Sequence, residues 1–469
     1  MASTVAKTFV FQRDDPPIPL STTADRLSFA FPTARTRWPK ILNQMIEEIS
    51  STLSAKKSFS AKEIQAGKEI QAQIISLRDQ MAGNAPLTPL QYDGGMDIEN
   101  YNLEIGTFLP KPTWLHVPWL FAECYLYRRV RTYFAFSSPI YWTTFDPFLT
   151  EKRKALVGSK KGTIELVKHL LQVLDTNLIS FEGEKQEALF VEMIQISLWG
   201  NATDLSLLAG GGVEELDSRQ GKAAREKSRK NVLCDDTAAV YQMLKDLQHG
   251  DITLSSREIH IVLDNAGFEL LADLALAAYL LKADIVHKIV LHGKRIPWFV
   301  SDVNHHDYTE LVDGLAKGSI YPPNDISRED QQQLARFGKH IQDLESRKML
   351  EFRAEMFWTA QHPFGRLPIA DPSLYASLAS AELVIFKGDL NYRKLTYDGQ
   401  WRNTVSFGEA IGPLGKRPED NDGMRILALR TSKADVAVGL PEGVAETLPR
   451  DWTRSGEYAM ISFCDTKSK

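Results

Sequence analysis

Apolar residues change their spacing once along this chain, near Gly200, and that change divides it. Upstream, Ile41, Met45, Ile46 and Ile49 recur at helical intervals, and Ile64, Ile70, Ile74 and Leu77 do the same within Lys62–Met81. The aromatic-rich stretch 115–135 and the runs Lys161–Leu174 and Glu184–Trp199 read as further helices. Residues 82–100, polar and Gly-containing, read as a loop, and 1–24 as irregular, because Pro16, Pro17 and Pro19 oppose helix there. The first ~190 residues are therefore expected to be mainly α. Downstream, short runs take over: Ile259–Leu263, Ile285–Leu291, Trp298–Val300, Leu383–Phe386, Ile426–Leu429 and Tyr458–Phe463. They alternate with helical stretches such as Phe268–Leu281. That alternation predicts a mainly parallel sheet with helices on its faces. The stretches 209–232 and 411–424, rich in Gly and charge, read as surface loops.

Composition narrows the class without naming it. The chain has 469 residues, 43% hydrophobic and 25% charged, enough to bury large cores over two or three domains. A net charge of -5 with no dominant basic block argues against a nucleic-acid surface. Cys124, Cys234 and Cys464 are too scattered for a disulfide framework or a zinc ribbon, which fits a reducing compartment. No apolar run approaches the ~20 residues that span a bilayer, and Met1–Val5 lacks a signal-peptide core. The expected setting is the cytosol, or cytosol and nucleus, with no membrane partner.

Chemistry concentrates where the apolar runs stop. Ile259–Leu263 runs into Asp264-Asn265-Ala266-Gly267, and a carboxylate and an amide oxygen are hard donors suited to Mg²⁺ or Mn²⁺. In an open α/β sheet, ligands sit at the carboxyl ends of strands, although Asp and Asn also serve as caps and turn residues. Trp298–Val300 leads to Ser301-Asp302, one strand–helix–strand unit later. If the two strands are neighbours, Asp264, Asn265 and Asp302 meet at one sheet edge as three oxygen ligands. Leu383–Phe386 runs into Lys387-Gly388-Asp389-Leu390-Asn391-Tyr392-Arg393, where Asn391 and Arg393 can donate to anionic oxygens. Ile426–Leu429 places Arg430 and Lys433 past a fourth run. Two cationic strand ends beside two acidic ones suit a metal-bridged phosphate. Weaker candidates are Gly200–Ser206 and His305-His306-Asp307, whose spacing fits no common zinc pattern. Gly210–Gly212 is not a P-loop, because no Gly-Lys-Ser/Thr follows.

Taken together, these strings resemble the damage-control phosphatase family, and within it the third subfamily, which an Arg-Thr-x-Lys motif marks. The motif stands here as Arg430-Thr431-Ser432-Lys433. Also similar are Gly200–Ser206, Asp264–Glu269, Pro297–Asp302, Lys387–Leu395 and, in the helical half, Pro118–Arg129. The likeness extends from about Phe31 over nearly the whole remaining chain.

The resemblance implies a Rossmann-like three-layer α/β/α domain with an N-terminal α-helical domain. On that reading 1–24 is an irregular segment, 25–195 the helical domain and 196–469 the phosphatase domain. It implies a divalent metal (Mn²⁺, Co²⁺, Ni²⁺ or Mg²⁺) held by Asp264, Asn265 and Asp302. Substrate contacts are implied from Asp389, Leu390, Asn391, Tyr392, Arg393 and Lys433, with catalytic roles for Asp264, Asp302 and Lys433. Glu123 and Arg128, on the aromatic helix, are candidates to close over a sugar. The implied reaction is hydrolysis of small phosphomonoesters, fructose 1-phosphate among them. Two alternatives stand beside it. One is an S-adenosylmethionine-dependent carboxyl methyltransferase, for which no Gly-rich strand-end loop with a following acidic residue is evident. The other is a non-catalytic metal-binding protein. Oligomeric state is not readable from the pattern.

Overall fold

The computed structural model describes residues 15–178, 183–200, 229–250, 253–417 and 423–467. Its helices of eight or more residues are α1 (Trp38–Ala55), α2 (Ala61–Ala82), α3 (Ile98–Thr107), α4 (Trp119–Ala135), α5 (Leu149–Gly158), α6 (Lys160–Asp175) and α7 (Glu184–Trp199) in the first part. The second part holds α8 (Thr237–His249), α9 (Phe268–Lys282), α10 (His305–Ala316), α11 (Arg328–Ser346), α12 (Pro372–Ser380) and α13 (Gly388–Leu395). Among the described residues the seven strands are β1 (Val232–Asp235), β2 (Glu258–Val262), β3 (Lys288–His292), β4 (Leu350–Arg353), β5 (Leu383–Lys387), β6 (Arg425–Thr431) and β7 (Ala459–Asp465).

The strands form one sheet in the order β1-β7-β6-β5-β2-β3-β4. From β6 to β4 every neighbouring pair is parallel, while β7 runs antiparallel to β6 and carries β1 parallel to itself. Central strands are apolar on both faces, as parallel strands covered by helices must be. Side chains alternate by two. Ile259, Ile261, Ile289, Leu291, Ile385 and Leu427 enter one core, under α6 to α11. Val262, Val384, Phe386, Ile426 and Ala428 enter the other, with α12 and the short turns around Phe357 and Phe364. The observed fold is thus the α/β/α sandwich with a helical part that the sequence implies.

Four departures from the sequence reading have physical causes. First, Trp298–Val300 is not a strand. It is a turn in which Phe299 and Val300 take φ of 44° and 73°, and Asp302 N donates to the Trp298 carbonyl at 3.2 Å. Trp298 is apolar because it is buried in the core of the helical part, not because it pairs in a sheet. Second, β1 and β4 are edge strands whose half-exposed polar residues hide them from a hydrophobic-run criterion. Third, α3 begins inside the stretch read as a loop, at Ile98, whose buried side chain anchors it. Fourth, α6 and α7 were counted with the helical half, yet their apolar faces pack in the same core as α9.

The helical part roofs the carboxyl ends of the strands. Its core, built from α1 to α4, takes in Trp298, Leu390 and Ala434, one residue from each of three strand-end segments. On the other side of the sheet's midline β2 and β3 each bury a histidine. His260 Nδ1 and His292 Nε2 lie 2.7 Å apart, His260 Nε2 faces Glu258 Oε1 at 2.8 Å, and His292 Nδ1 faces Glu355 Oε2 at 2.9 Å.

Candidate active site

From β2 the chain proceeds outward to β3 and β4, then returns to β5 and β6 on the opposite side of β2. The crevice between the carboxyl ends of β2 and β5 is therefore the topological switch point, where open α/β sheets leave room for a ligand. Asp264 sits past β2 and Gly388-Asp389 past β5, one on each lip. Asp302 arrives by a different route from the one expected. The segment after β3 folds back and pairs with the segment after β2, with Ala266 N donating to the Ser301 carbonyl at 2.8 Å and Val303 N to the Asp264 carbonyl at 2.9 Å. An isolated antiparallel bridge joins Asn265 to Asp302. Asp264, Asn265 and Asp302 are thus brought together, but by loop pairing rather than by two strand ends in register.

The cluster is dense in buried carboxylates. Asp264, Glu269 and Asp302 are 6%, 4% and 2% exposed. Burial pushes the Asp264 carboxyl well above the usual range, Glu269 and Asp302 push it further, and Lys294 and Lys433 oppose them. Burial raises Asp302 to about 6 against the pull of Lys294. Lys294, itself 1% exposed, places Nζ 3.3 Å from Asp302 Oδ2 and donates to the Leu263 carbonyl at 2.9 Å. The Asn265 amide donates to Asp264 Oδ2 at 2.7 Å and to Glu269 Oε2 at 2.8 Å, while its oxygen accepts from the Ser301 hydroxyl. Behind this group Lys387 donates to the Ser197 carbonyl and pairs with Asp273 at 3.1 Å, Glu269 lying at 3.7 Å.

On the β5 lip, Gly388 opens α13 with φ of 82°. A Cβ at that position would lie 1.9 Å from Asp264 Oδ2, so the carboxylate rests directly against the glycine. Asp389 Oδ1 accepts from Arg430 Nε at 2.8 Å and from Lys433 N at 3.0 Å. Arg430 lies within β6 rather than past it. It is fully buried and also donates to the Val436 and Ala434 carbonyls, which folds 431–436 into a loop. That loop leaves the Lys433 side chain exposed, within electrostatic reach of Asp264.

Other residues singled out in the sequence have structural attachments. Asn391 donates to the carbonyls of Val262, Leu263 and Lys387, bracing β2 against β5, and its own Oδ1 is buried with no hydrogen-bond partner among the described residues. Leu390 belongs to the helical core, and the Tyr392 hydroxyl accepts from Val438 N at 3.1 Å. Arg393 is saturated: Asp398 takes it bidentately at 3.0 and 2.9 Å, Glu123 at 2.9 Å, and it stacks 3.8 Å over Trp119. Glu123 also accepts from Trp38 Nε1 at 3.2 Å. Glu123 and Arg393 are therefore joined to each other across the two parts of the chain. Arg128 stands apart from them, with Asp93 and Asp97 as its polar partners among the described residues. His305 and His306 form the first turn of α10 and are exposed. Asn201–Ser206 and Gly210–Gly212 lie outside the described residues.

Glu269, Lys294 and Ser301 join the cluster without having been singled out in the sequence. The signal for Lys294 was the third strand end, His292-Gly293-Lys294, where glycine again precedes a charged residue. Glu269 carried a periodic signal: it lies one helical turn beyond Asn265, which it orients.

The donor chemistry fits a hard divalent cation. Three buried carboxylates face two ammonium groups, and Asp302 Oδ2 has no properly directed hydrogen bond despite its nearness to Lys294. Among the described residues no group of three His, Cys, Asp or Glu side chains is gathered in metal-holding geometry, and the hard oxygen donors available at the crevice are the carboxylates with the Asn265 amide. That amide presents its NH₂ to Asp264. Turning it over would present oxygen to the cluster and leave its NH₂ to the Ser301 hydroxyl, an exchange that two-sided amides allow. A switch-point crevice lined by aspartates and lysines places the molecule among α/β proteins whose ligand site at the strand ends suits an anion.

Comparison with known proteins narrows the class to a family. The model of the damage-control phosphatase ARMT1-like domain matches residues 33–448. The damage-control phosphatase ARMT1 of Xenopus laevis is 33% identical over 461 residues, covering 95% of this chain and 98% of that protein. The mouse protein of the same name is 35% identical over 456 residues (94% and 97%), and the human one 34% identical over 451 (93% and 96%). A DUF89 family protein from Pyrococcus horikoshii, of known crystal structure, aligns over 92% of this chain and 98% of its own at 11% identity and a TM-score of 0.40. The chain belongs to the ARMT1-like damage-control phosphatase family.

Proposed function

We propose that this protein hydrolyses phosphomonoesters of small metabolites, sugar phosphates such as fructose 1-phosphate in particular, and that it needs a divalent cation to do so. The observation that carries the reading is the buried Asp264–Glu269–Asp302 cluster facing Lys294 and the exposed Lys433 at the switch point. Membership of a phosphatase family supports it.

Asp264, Asn265 and Asp302 would hold the cation, with Mn²⁺, Co²⁺, Ni²⁺ and Mg²⁺ as the candidates. When bound, the ion supplies Lewis-acid polarisation of a phosphoryl oxygen. The chain's own groups do the rest. Lys433, fixed through its backbone by Asp389 and Arg430, brings a mobile ammonium to the open side of the crevice, where it offsets charge building on the phosphoryl group. Lys294, held by the Leu263 carbonyl, offsets the charge of the buried carboxylates, Asp302 in particular. Glu269 fixes the plane of the Asn265 amide. Asp264 or Asp302 either orients the attacking water or attacks phosphorus itself. The Glu123–Arg393–Asp398 chain ties the helical part to α13. A methyltransferase reading would call for a Gly-rich turn cradling a nucleoside. The turns after β2 and β5 instead carry Asp-Asn-Ala-Gly and Gly-Asp, with Asp264 against Gly388 and Asp389 turned to Arg430 and the Lys433 backbone.

The test is phosphate release from fructose 1-phosphate by metal-stripped protein, with and without each of the four cations, beside Asp264→Ala. Release that requires a cation and disappears in the variant is expected. Cation-independent release, or release that survives in Asp264→Ala, overturns the reading.

A further inference from the structure

A second cavity of about 690 Å³ lies on the reverse side of the segment that carries Asp302. One wall comes from the helical part, with Glu48, Thr52 and Arg131. The other comes from Arg295–Pro297 and the Asn304–His306 entry to α10. None of Asp264, Asn265, Glu269, Lys294, Asp302 or Lys433 lines it. Its size is that of a metabolite site, and its floor is apolar, from Phe145, Leu149 and Ile296, among others.

The charges on its walls are unevenly neutralised. Asp146 is engaged by Lys152 at 3.0 Å and by the Asn304 amide at 3.1 Å, and Arg153 is paired with Glu310. Glu48 accepts from the Thr150 hydroxyl at 2.6 Å. Two guanidinium groups have no carboxylate partner among the described residues. Arg131 is half-buried and donates only to the Thr143 carbonyl, at 2.6 Å, and Arg295 is exposed with no hydrogen bond or ion pair. A guanidinium with no carboxylate partner that faces a cavity is matched best by an oxyanion, through paired N–H donors. Burial first, then Arg128, pushes the Arg131 proton affinity down, against the pull of Asp93 and Asp146. The amino end of the twelve-residue α10 opens on the same wall, capped by Asn304 and Asp307.

The cavity wall is bonded to the catalytic segment. Lys152 donates at once to Asp146, to Asp307 at 2.7 Å and to the Asp302 carbonyl at 3.1 Å. A ligand spanning Arg131 and Arg295 would brace 295–304 against the helical part and so hold Asp302 in place.

We propose that this cavity is an effector site for a small organic oxyanion, a phosphate- or carboxylate-bearing metabolite held between Arg131 and Arg295, and that its occupancy raises cation affinity at the Asp264–Asp302 cluster. Binding to the cavity is independent of the catalytic reading. Only the coupling rests on it, and by linkage the coupling is reciprocal.

The probes are phenylphosphonate, which is not hydrolysed, and benzoate, titrated calorimetrically into the metal-stripped full-length protein and into Arg295→Glu and Arg131→Gln. Arg295→Glu changes an exposed residue and is expected to fold and to keep kcat and KM for fructose 1-phosphate when no probe is present. At least one probe should bind the parent, at least tenfold more weakly to either variant. Saturating probe should tighten Mn²⁺ binding severalfold in the parent and leave it unchanged in Arg295→Glu. Phenylphosphonate alone binding identifies a phosphate ester as the ligand class. Benzoate binding extends it to carboxylates. Neither probe binding, or equal binding by parent and Arg295→Glu, overturns the site, whether or not the protein turns over fructose 1-phosphate. Binding without a change in Mn²⁺ affinity overturns the coupling.

Discussion

Gly388→Ala is the sharpest perturbation that the geometry offers, because one added methyl group meets the proposed chemistry directly. The new Cβ would stand 1.9 Å from Asp264 Oδ2 and 2.2 Å from its Cγ, where ordinary contact begins near 3.4 Å. The carboxylate must retreat by more than an ångström, or α13 must rotate away from β2, which Asn391 resists through three carbonyl bonds. Two costs separate cleanly. The left-handed backbone at φ of 82° costs an alanine roughly 1–2 kcal/mol of stability. Misplacing a reacting group by ~1 Å costs on the order of a hundredfold in rate, or about 2.7 kcal/mol of barrier. The assay pairs urea unfolding with kcat for fructose 1-phosphate at saturating Mn²⁺ and with Mn²⁺ affinity by calorimetry. Gly106→Ala is the control, since a Cβ there meets open space. The expected outcome is a folded protein with modest loss of stability, kcat down about a hundredfold and weakened Mn²⁺ binding. A folded Gly388→Ala with kcat within threefold of the parent would refute the placement of Asp264 against the β5 lip.

Three further outcomes follow from the same geometry. Asp302→Ala should abolish calorimetric Mn²⁺ binding while leaving the fold intact, and full affinity in that variant would remove Asp302 from the ligand set. Arg128→Ala leaves Asp93 and Asp97 nearly buried without their partner, so unfolding free energy should fall by about 3–5 kcal/mol with KM for fructose 1-phosphate unchanged, and a raised KM in stable protein would instead place Arg128 at the substrate. Lys394 is buried and its amine is pushed down to about 8, by burial first, though it donates to the Ala360 carbonyl at 2.7 Å. Its charged form therefore penalises the folded state fully below pH 8, and the penalty fades as pH rises towards the unfolded value of 10.5. Lys394→Met should stabilise by roughly 2 kcal/mol at pH 7, after allowing about 1 kcal/mol for the lost hydrogen bond, and destabilise by about that 1 kcal/mol above pH 10.5, where the charge penalty has gone. Destabilisation at pH 7 would contradict that sign.

What the sequence made legible follows burial. β2, β5, β6 and β7 were visible because strands covered on both faces, or nearly so, read as unbroken apolar runs. β1 and β4 were not, because edge positions accept Asp235, Glu351 and Arg353. Asp302 was placed beside Asp264 on the supposition of a strand at Trp298–Val300. It does lie beside Asn265, but through a reversed turn whose left-handed Phe299 and Val300 are residues that propensity assigns to strands. Such a conformation is set by the packing of Trp298 and by Phe299 stacking on Tyr127, at a centroid distance of 4.8 Å, and no local rule reports it. Pairings across the chain were equally hidden. Nothing local to Arg393 announces Glu123, 270 residues away, or marks it as a cation already satisfied.

The buried histidines of β2 and β3 carry a consequence for proton inventory. Burial pushes His292 towards its neutral form, with one ring hydrogen to divide between the His260 Nδ1 contact at 2.7 Å and the Glu355 Oε2 contact at 2.9 Å. The Trp358 indole N–H adds a donor at the same place, reaching Glu355 Oε2 at 2.9 Å and His292 Nδ1 at 3.3 Å. Glu258, His260, His292 and Glu355 therefore form one continuous side-chain chain across β2 and β3, in which the tautomer of either ring fixes the role of the other.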